Sequence, residues 1–235
     1  NVLVMSPWNY PFQLSISPVA GAIAAGNTVV LKPSNYSINT SRLLSRLIRE
    51  TFPPEYITVV EGDRYVNQDL LDARFDYIFF TGSTRVGRVV MEKAAAHLTP
   101  VSLELGGKSP CIIDPTAKLD LAARRIAWGK CLNSGQTCVA PDYALVHRSV
   151  VESFVSALKR AFVRQVGEQA EFNPNYSRII NRKKFDRLRD MIAASDVLWG
   201  GALSEETLRI APCIVRGDWD CAAMEEEIFG PIFPI

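Results

Sequence analysis

The sequence predicts an α/β fold, a doubly wound and mostly parallel sheet followed by part of a second α/β domain. Three observations carry this. Short apolar runs of strand length alternate with longer stretches whose apolar residues recur at helical spacing, which is the pattern of parallel strands joined by crossover helices. Turn-forming residues such as Gly26-Asn27 and Pro53-Pro54 stand between the runs. The pair Gly106-Gly107 then breaks the alternation and divides the chain into residues 1–106 and 107–235.

Taken in order, Val2 to Met5 reads as a buried strand and Phe12 to Ala25 as a packed helix of small apolar residues. Thr28 to Leu31 is a second strand. Ser37 to Glu50 carries Leu43, Leu44, Leu47 and Ile48 at helical spacing. Ile57 to Val60 and Asp76 to Phe80 are strands, Thr84 to Ala96 is a helix, and Val101 to Leu105 is a strand. Beyond the boundary, Cys111 to Ile113 is a strand and Leu119 to Cys131 a helix. Tyr143 to Val146 is a strand, and Val150 to Arg164 an amphipathic helix. Gln165 to Tyr176 reads as a polar loop. Arg182 to Ala194 is a helix, and Val197 to Trp199 and Pro212 to Val215 are short strands. The cluster Arg178, Arg182, Lys183, Lys184, Arg187 and Arg189, with Asp186 and Asp190 interspersed, reads as a solvated helix face.

With 235 residues, 48% hydrophobic and 22% charged, the chain is ordinary for a globular protein with a substantial core. A net charge of +1 gives no bulk attraction to nucleic acid or an acidic membrane. No apolar run reaches membrane-spanning length, and no signal-peptide pattern is present. The five cysteines are odd in number and lack scaffold spacing, which points to a reducing compartment such as the cytoplasm. The two histidines, His97 and His147, sit in no metal-ligand pattern, so no metal is expected. Both ends are apolar, Val2-Leu3-Val4-Met5 and Ile232-Phe233-Pro234-Ile235, so the chain reads as an internal piece of a longer one.

Two residues suggest covalent chemistry. Cys138 ends the small, polar stretch Asn133-Ser134-Gly135-Gln136-Thr137, where a substrate can approach the sulfur. Glu104 is the only charge in its apolar, glycine-rich surroundings before Lys108. A nucleophilic cysteine and a carboxylate able to exchange a proton suggest covalent catalysis. Taken singly, a free cysteine is more often a small core residue, and a glutamate beside glycines a turn residue. Gly82-Ser83-Thr84-Arg85-Val86-Gly87 follows a strand and opens a helix, where phosphates are bound. Its spacing fits a plain strand-to-helix turn equally well. Lys32 ends a strand, where open α/β sheets hold ligands, although such a lysine is more often a solvated cap. Glu225-Glu226-Glu227 reads by itself as an exposed acidic run.

The motifs Glu104-Leu105-Gly106-Gly107-Lys108-Ser109-Pro110 and Gly135-Gln136-Thr137-Cys138 resemble the two signatures of the aldehyde dehydrogenase superfamily. Pro7-Trp8-Asn9-Tyr10-Pro11, Lys32-Pro33-Ser34, Phe80-Thr81-Gly82-Ser83-Thr84 and Glu227-Ile228-Phe229-Gly230-Pro231 resemble four more of its motifs, in the family's order. Ala96-His97-Leu98-Thr99-Pro100-Val101 and Ala140-Pro141-Asp142-Tyr143 are similar to its class 3, fatty or aromatic aldehyde branch.

The resemblance implies that residues 1–106 are a Rossmann-like dinucleotide-binding domain lacking its N-terminal part. Residues 107–235 would be a catalytic domain lacking its C-terminal part. It further implies NAD(P)-dependent oxidation of a medium- or long-chain or aromatic aldehyde to an acid. Cys138 would be the nucleophile, Glu104 the hydrolytic base and Asn9 the oxyanion donor. The cofactor would lie against Trp8, Lys32, Ser34, Asn35, Gly82, Ser83, Thr84, Arg85, Val86, Gly87, Leu105, Glu227 and Phe229. Many relatives carry glutamate where Asn35 stands, so either NAD or NADP is expected. Two other readings stay open: a coenzyme A-acylating relative, and a silent binding protein on the same fold. The full-length protein is expected to be a homodimer that binds no nucleic acid and meets a membrane only through a tail beyond residue 235. This piece alone is expected to be inactive.

Overall fold

The first strand organises residues 1–106. β1 (Val2–Met5) is buried along its whole length. It pairs in parallel with β2 (Val29–Lys32) on one side and β4 (Tyr77–Thr81) on the other. β3 (Ile57–Val59) lies beyond β2 and β5 (Val101–Glu104) beyond β4, giving a parallel sheet of order β3-β2-β1-β4-β5. Successive side chains of a strand point to opposite faces, and both faces are covered. Val2 and Val4 pack with Val19 of α1 (Gln13–Ala24) and Ile48 of α2 (Ile38–Thr51). Leu3 and Met5 pack with Leu71 of α3 (Arg64–Asp72) and with Val90 and Ala94 of α4 (Thr84–Ala95). Strands buried on both faces read as continuous apolar runs, which is why these strands are legible in the sequence.

The structure, a computed structural model, describes residues 1–235, and the chain forms two compact units, Asn1–Gly106 and Gly107–Ile235. In the second unit β6 (Pro110–Ile113) and β7 (Tyr143–Val146) form a parallel pair. β8 (Val197–Gly200), β11 (Cys213–Val215) and β12 (Ile232–Pro234) form a mixed sheet with β11 in the middle. A short hairpin, β9 (Leu203–Ser204) and β10 (Arg209–Ile210), precedes β11. Ile214 and Phe233 face a core built with Ile126 of α5 (Leu119–Cys131) and Phe154, Leu158 and Phe162 of α6 (Val151–Val166). Their neighbours Cys213, Val215 and Ile232 face the opposite way, onto Phe185, Leu188 and Met191 of α7 (Arg182–Ala193).

The structure differs from the sequence reading in several places. α3, the hairpin β9–β10, the short α8 (Ala222–Glu225) and β12 are additional elements. The segment 165–176 is no simple polar loop. α6 runs on to Val166, Ala170–Phe172 makes a 3-10 turn, and Ala170, Glu171 and Tyr176 are buried. No helix is long and apolar enough to cross a membrane.

Candidate active site

In the first unit the candidate residues gather at one edge of one sheet. Met5 pairs with both Lys32 and Phe80, and Thr81 with Glu104, so β1, β2, β4 and β5 end together. Trp8 and Asn9 follow β1, Ser34 and Asn35 follow β2, and Gly82 to Gly87 follow β4. Leu105 follows Glu104, the last residue of β5. Between β1 and β4 the chain order reverses, and ligands of open α/β sheets bind outside the strand ends at such a reversal. Ser6 N donates to Lys32 O (3.1 Å), which extends the ladder towards Asn9. Lys32 is no solvated cap: it is 3% exposed and its Nζ donates to Pro33 O (2.8 Å). Burial lowers its pKa, and the charges of Asp63 and Glu61 act the other way.

Ser34 caps a 3-10 turn, Asn35–Ser37, and Asn35 itself is exposed. Ser83 caps α4, its Oγ accepting from Val86 N at a long 3.5 Å. Ser83, Thr84 and Arg85 are exposed at this helix start, where backbone N–H groups and the helix dipole favour an anion. Gly82 N donates to Glu104 O (3.0 Å), tying the turn to the glutamate's strand end. The Glu104 residue is itself exposed. An open groove of about 490 Å³ beside α2, lined by Arg42, Arg46 and Arg49 among others, contains none of these residues.

In the second unit the cysteine sits on a backbone held in an unusual conformation. Asn133 (φ 50°), Ser134 (φ 54°) and Gly135 (φ 72°) are left-handed in succession. Such positions cost a non-glycine residue of order 1–3 kcal/mol and persist only where surrounding contacts impose them. Those contacts are visible. The Gln136 amide donates to Arg178 O (3.1 Å) and Asn133 O (3.0 Å), and its Oε1 accepts from Ile180 N (3.0 Å). Ser134 Oγ donates to Ser177 O. A Cβ on Gly135 would stand 2.4 Å from Gly230 O, so only glycine lets these two backbones meet.

Cys138 then lies second in a turn closed by Ala140 N donating to Thr137 O (3.0 Å), and it is half-buried. All five cysteines are free. Burial pushes the Cys131 and Cys213 thiols up to about 12, and Cys111 is raised for the same reason. Those three are inert thiols at neutral pH.

The Glu227 segment borders the cysteine loop through Gly230. Gly107 N donates to Glu227 Oε1 (3.2 Å). Burial raises the Glu227 pKa, with the Asp142 charge adding to it, while the Gly107 bond and the charges of Lys130 and Arg187 hold it down. Phe229 follows with a left-handed backbone (φ 49°). Residues outside the predicted set hold this segment. Lys108 Nζ donates to Asp142 Oδ2 (2.6 Å), Ala223 O (2.8 Å) and Glu226 O (3.0 Å). Asp142 Oδ1 accepts from Ile228 N (3.1 Å).

Arg187 corrects the reading of the basic cluster. Arg182 and Arg189 do pair with Asp186, Asp190 and Glu205. Arg187 instead reaches Glu226 (3.1 Å) and the Ile228 carbonyl. Glu226 is therefore not merely solvated. The sequence signal for Lys108 was its place inside a glycine-rich motif, and for Asp142 its place between apolar residues and a strand. Neither identifies a partner far along the chain.

The structure thus places Cys138, Glu227 and Phe229 on adjoining loops of the second unit. It places Asn9, Glu104 and the remaining candidates along one sheet edge of the first. Comparison with known proteins agrees with the motifs. The model of the aldehyde dehydrogenase family matches residues 1–235. The chain is 47% identical to mouse "Aldehyde dehydrogenase family 3 member A2", covering all of this chain and 49% of that one. It is 50% identical to mouse "Aldehyde dehydrogenase, dimeric NADP-preferring", covering all of this chain and 52% of that one. The solved structure "Substrate bound state of Staphylococcus Aureus AldH" superposes with a TM-score of 0.96 at 46% identity, covering all of this chain and 52% of that one. The chain spans about half the length of the curated relatives it matches. On its motifs, its fold and this match over every residue, the chain belongs to the aldehyde dehydrogenase family.

Proposed function

We propose that the full-length enzyme carrying this chain oxidises medium- or long-chain aliphatic or aromatic aldehydes to carboxylic acids with NAD or NADP. The observation that carries this reading is the cysteine turn. One half-buried cysteine is presented on a left-handed loop braced by Gln136 and Ser134, while Cys111, Cys131 and Cys213 are held as thiols by burial. Such strain recurs at functional sites, where it is part of the mechanism.

The residues fit a dinucleotide. The start of α4 after β4 offers Ser83, Thr84 and Arg85 to phosphates, and buried Lys32 lies at the end of the adjoining sheet edge. Lys32, Ser34 and Asn35 would take the adenosine ribose, with Trp8, Gly82, Val86, Gly87 and Leu105 around the cofactor. Glu227 would take the nicotinamide ribose, with Phe229 beside the ring. The nicotinamide, when bound, supplies the hydride acceptor.

Cys138 Sγ attacks the aldehyde carbon and forms a thiohemiacetal. The Asn9 amide and the Cys138 backbone N–H stabilise the oxyanion, donating without a charge that would retain the carboxylate product. Loss of hydride from this adduct leaves a thioester on Cys138. Glu104 takes a proton from water, whose oxygen attacks the thioester carbon and releases the acid and the thiolate. A hydrolytic base has no use in transfer to coenzyme A, which sets that reading second. In this scheme residues 1–106 serve as the dinucleotide-binding domain and 107–235 as the catalytic domain, and the full-length enzyme is a homodimer.

Two variants of the full-length enzyme test the scheme. Cys138→Ser should abolish aldehyde oxidation and leave cofactor binding intact. Glu104→Gln should give a burst of reduced cofactor followed by a stall, because the thioester is stranded. Wild-type turnover in Cys138→Ser would sink the covalent mechanism. Equal slowing of burst and steady state in Glu104→Gln would remove Glu104 as the base.

A further inference from the structure

The second unit contains buried charge that this mechanism does not use. The Asp142 side chain is 3% exposed and Lys130 is 0% exposed. Charges so buried are costly unless paired, and removal of one partner leaves the other uncompensated. Both Asp142 oxygens are engaged, Oδ2 by Lys108 (2.6 Å) and Oδ1 by Ile228 N (3.1 Å). Lys130 Nζ lies 3.9 Å from Oδ1, too far for a hydrogen bond, and has no hydrogen-bond partner. Lys108 spends its three ammonium donors on Asp142, Ala223 O and Glu226 O.

The groups bearing on Lys130 are Asp142, Lys108, Cys111 and Glu227. Asp142 is the carboxylate that both lysines approach, Lys108 at 2.6 Å and Lys130 at 3.9 Å. Between β11 and β12 the chain has only the four-residue α8 as regular structure. The bonds from Asp142 and Lys108, with those of Arg187 to Glu226 and Ile228 O and the burial of Ala223 and Ile228, therefore hold residues 223–228 in place.

We infer that Asp142 is a positioning residue for Glu227 and Phe229, acting with Lys108 through the bonds that fasten residues 223–228. This rests on the reading of Glu227 as a cofactor contact. Asp142 touches no reacting atom. It places the loop that carries Glu227, and its charge offsets the Lys108 and Lys130 ammonium groups beside it.

The test is a double-mutant cycle in the full-length enzyme, with Asp142→Asn, Glu227→Gln and the pair. Readouts are cofactor KM, kcat and the cofactor-independent hydrolysis of 4-nitrophenyl acetate by Cys138. Asp142→Asn should raise cofactor KM about tenfold and change ester hydrolysis less than about twofold. In the Glu227→Gln background it should add little, because both changes act through one contact.

Three results would overturn the inference: an unchanged cofactor KM in Asp142→Asn, effects that multiply in the pair, or ester hydrolysis that falls in step with oxidation. A Glu227→Gln enzyme with unaltered cofactor KM and kcat would instead refute Glu227 as a cofactor contact. Should Asp142→Asn fail to fold, Lys108→Met removes the bonds to Ala223 O and Glu226 O from a side chain that is 22% exposed, and the same pattern is expected.

Discussion

Lys32 at the sheet edge of the first unit and Lys130 inside the second are both buried lysines, held by different means. Lys32 is satisfied by its chain neighbour, donating to Pro33 O at 2.8 Å. Lys130 makes no hydrogen bond and depends on the charge of Asp142, which is supplied from a loop beyond the cysteine turn. Burial takes Lys130 down to about 8. The same contrast runs through the candidate residues around them. Those of the first unit follow from where strands end, so they are local. Those of the second depend on bonds such as Lys108 to Glu226 and Asp142 to Ile228, which join residues 118 and 86 positions apart.

Glycine substitutions should expose this contrast most strongly. Gly135→Ala places a Cβ 2.4 Å from the Gly230 carbonyl oxygen at a left-handed φ of 72°. Strain and overpacking together should cost about 4 kcal/mol. At Gly82 the nearest atom is the end of the buried Phe80 ring at 2.5 Å, which would have to shift, but no left-handed φ adds to the cost. Gly82→Ala should cost about 2 kcal/mol, from overpacking alone. Denaturant unfolding of both variants measures the difference, and equal losses would remove the distinction between the units.

The pH dependence of stability isolates Lys130. Its pKa is about 8 in the fold against an ordinary 10.5, so the unfolded chain binds more protons between those values. Stability due to this group therefore rises as pH increases from 8 to 10.5, by up to roughly 3 kcal/mol. Lys130→Met should be more stable than wild type at pH 7 and should lack the rise. Parallel stability curves for the two proteins across that window would show that Lys130 is not charged and buried as described.

The smallest effect belongs to the first unit. Asn35 is exposed, and one such charge contact is worth about 1 kcal/mol. The wild-type preference between NAD and NADP should lie within roughly tenfold, and Asn35→Glu should move it towards NAD by a similar factor. The ratio of kcat/KM values for the two cofactors reads this directly. A wild-type preference for NAD beyond about a hundredfold would show that the sheet edge is less permissive than its exposure suggests.

The legible parts of the fold are those in which local pattern and burial coincide. The five strands of the parallel sheet appear within a residue of their expected ends because their runs are mostly apolar and β1 at the centre is covered on both faces. α3 was missed because it is short and polar and buries only Leu71. β12 looked like an apolar end because its partner β11 precedes it by a loop that no spacing rule anticipates. In the cysteine loop, Asn133, Ser134 and Gly135 were visibly small and flexible. Their left-handed backbone was not, since Gln136 and Ser134 impose it through Arg178 and Ser177. Nothing local sets Lys130 apart within its helix, or Arg187 within its basic cluster. What each touches is decided by residues far away in sequence.

The meeting of Gly135 with Gly230 also orders events in time. Closing a loop of some 95 residues is an entropic step that local structure does not assist. During synthesis, β1 to β5 can pair while residues 107–235 are still emerging. The cysteine turn cannot be completed until residue 230 has left the ribosome, because its last wall is the Gly230 carbonyl. The thiol of the nascent chain is thereby left in an unfinished, unstrained loop until the segment carrying Glu227 has arrived beside it.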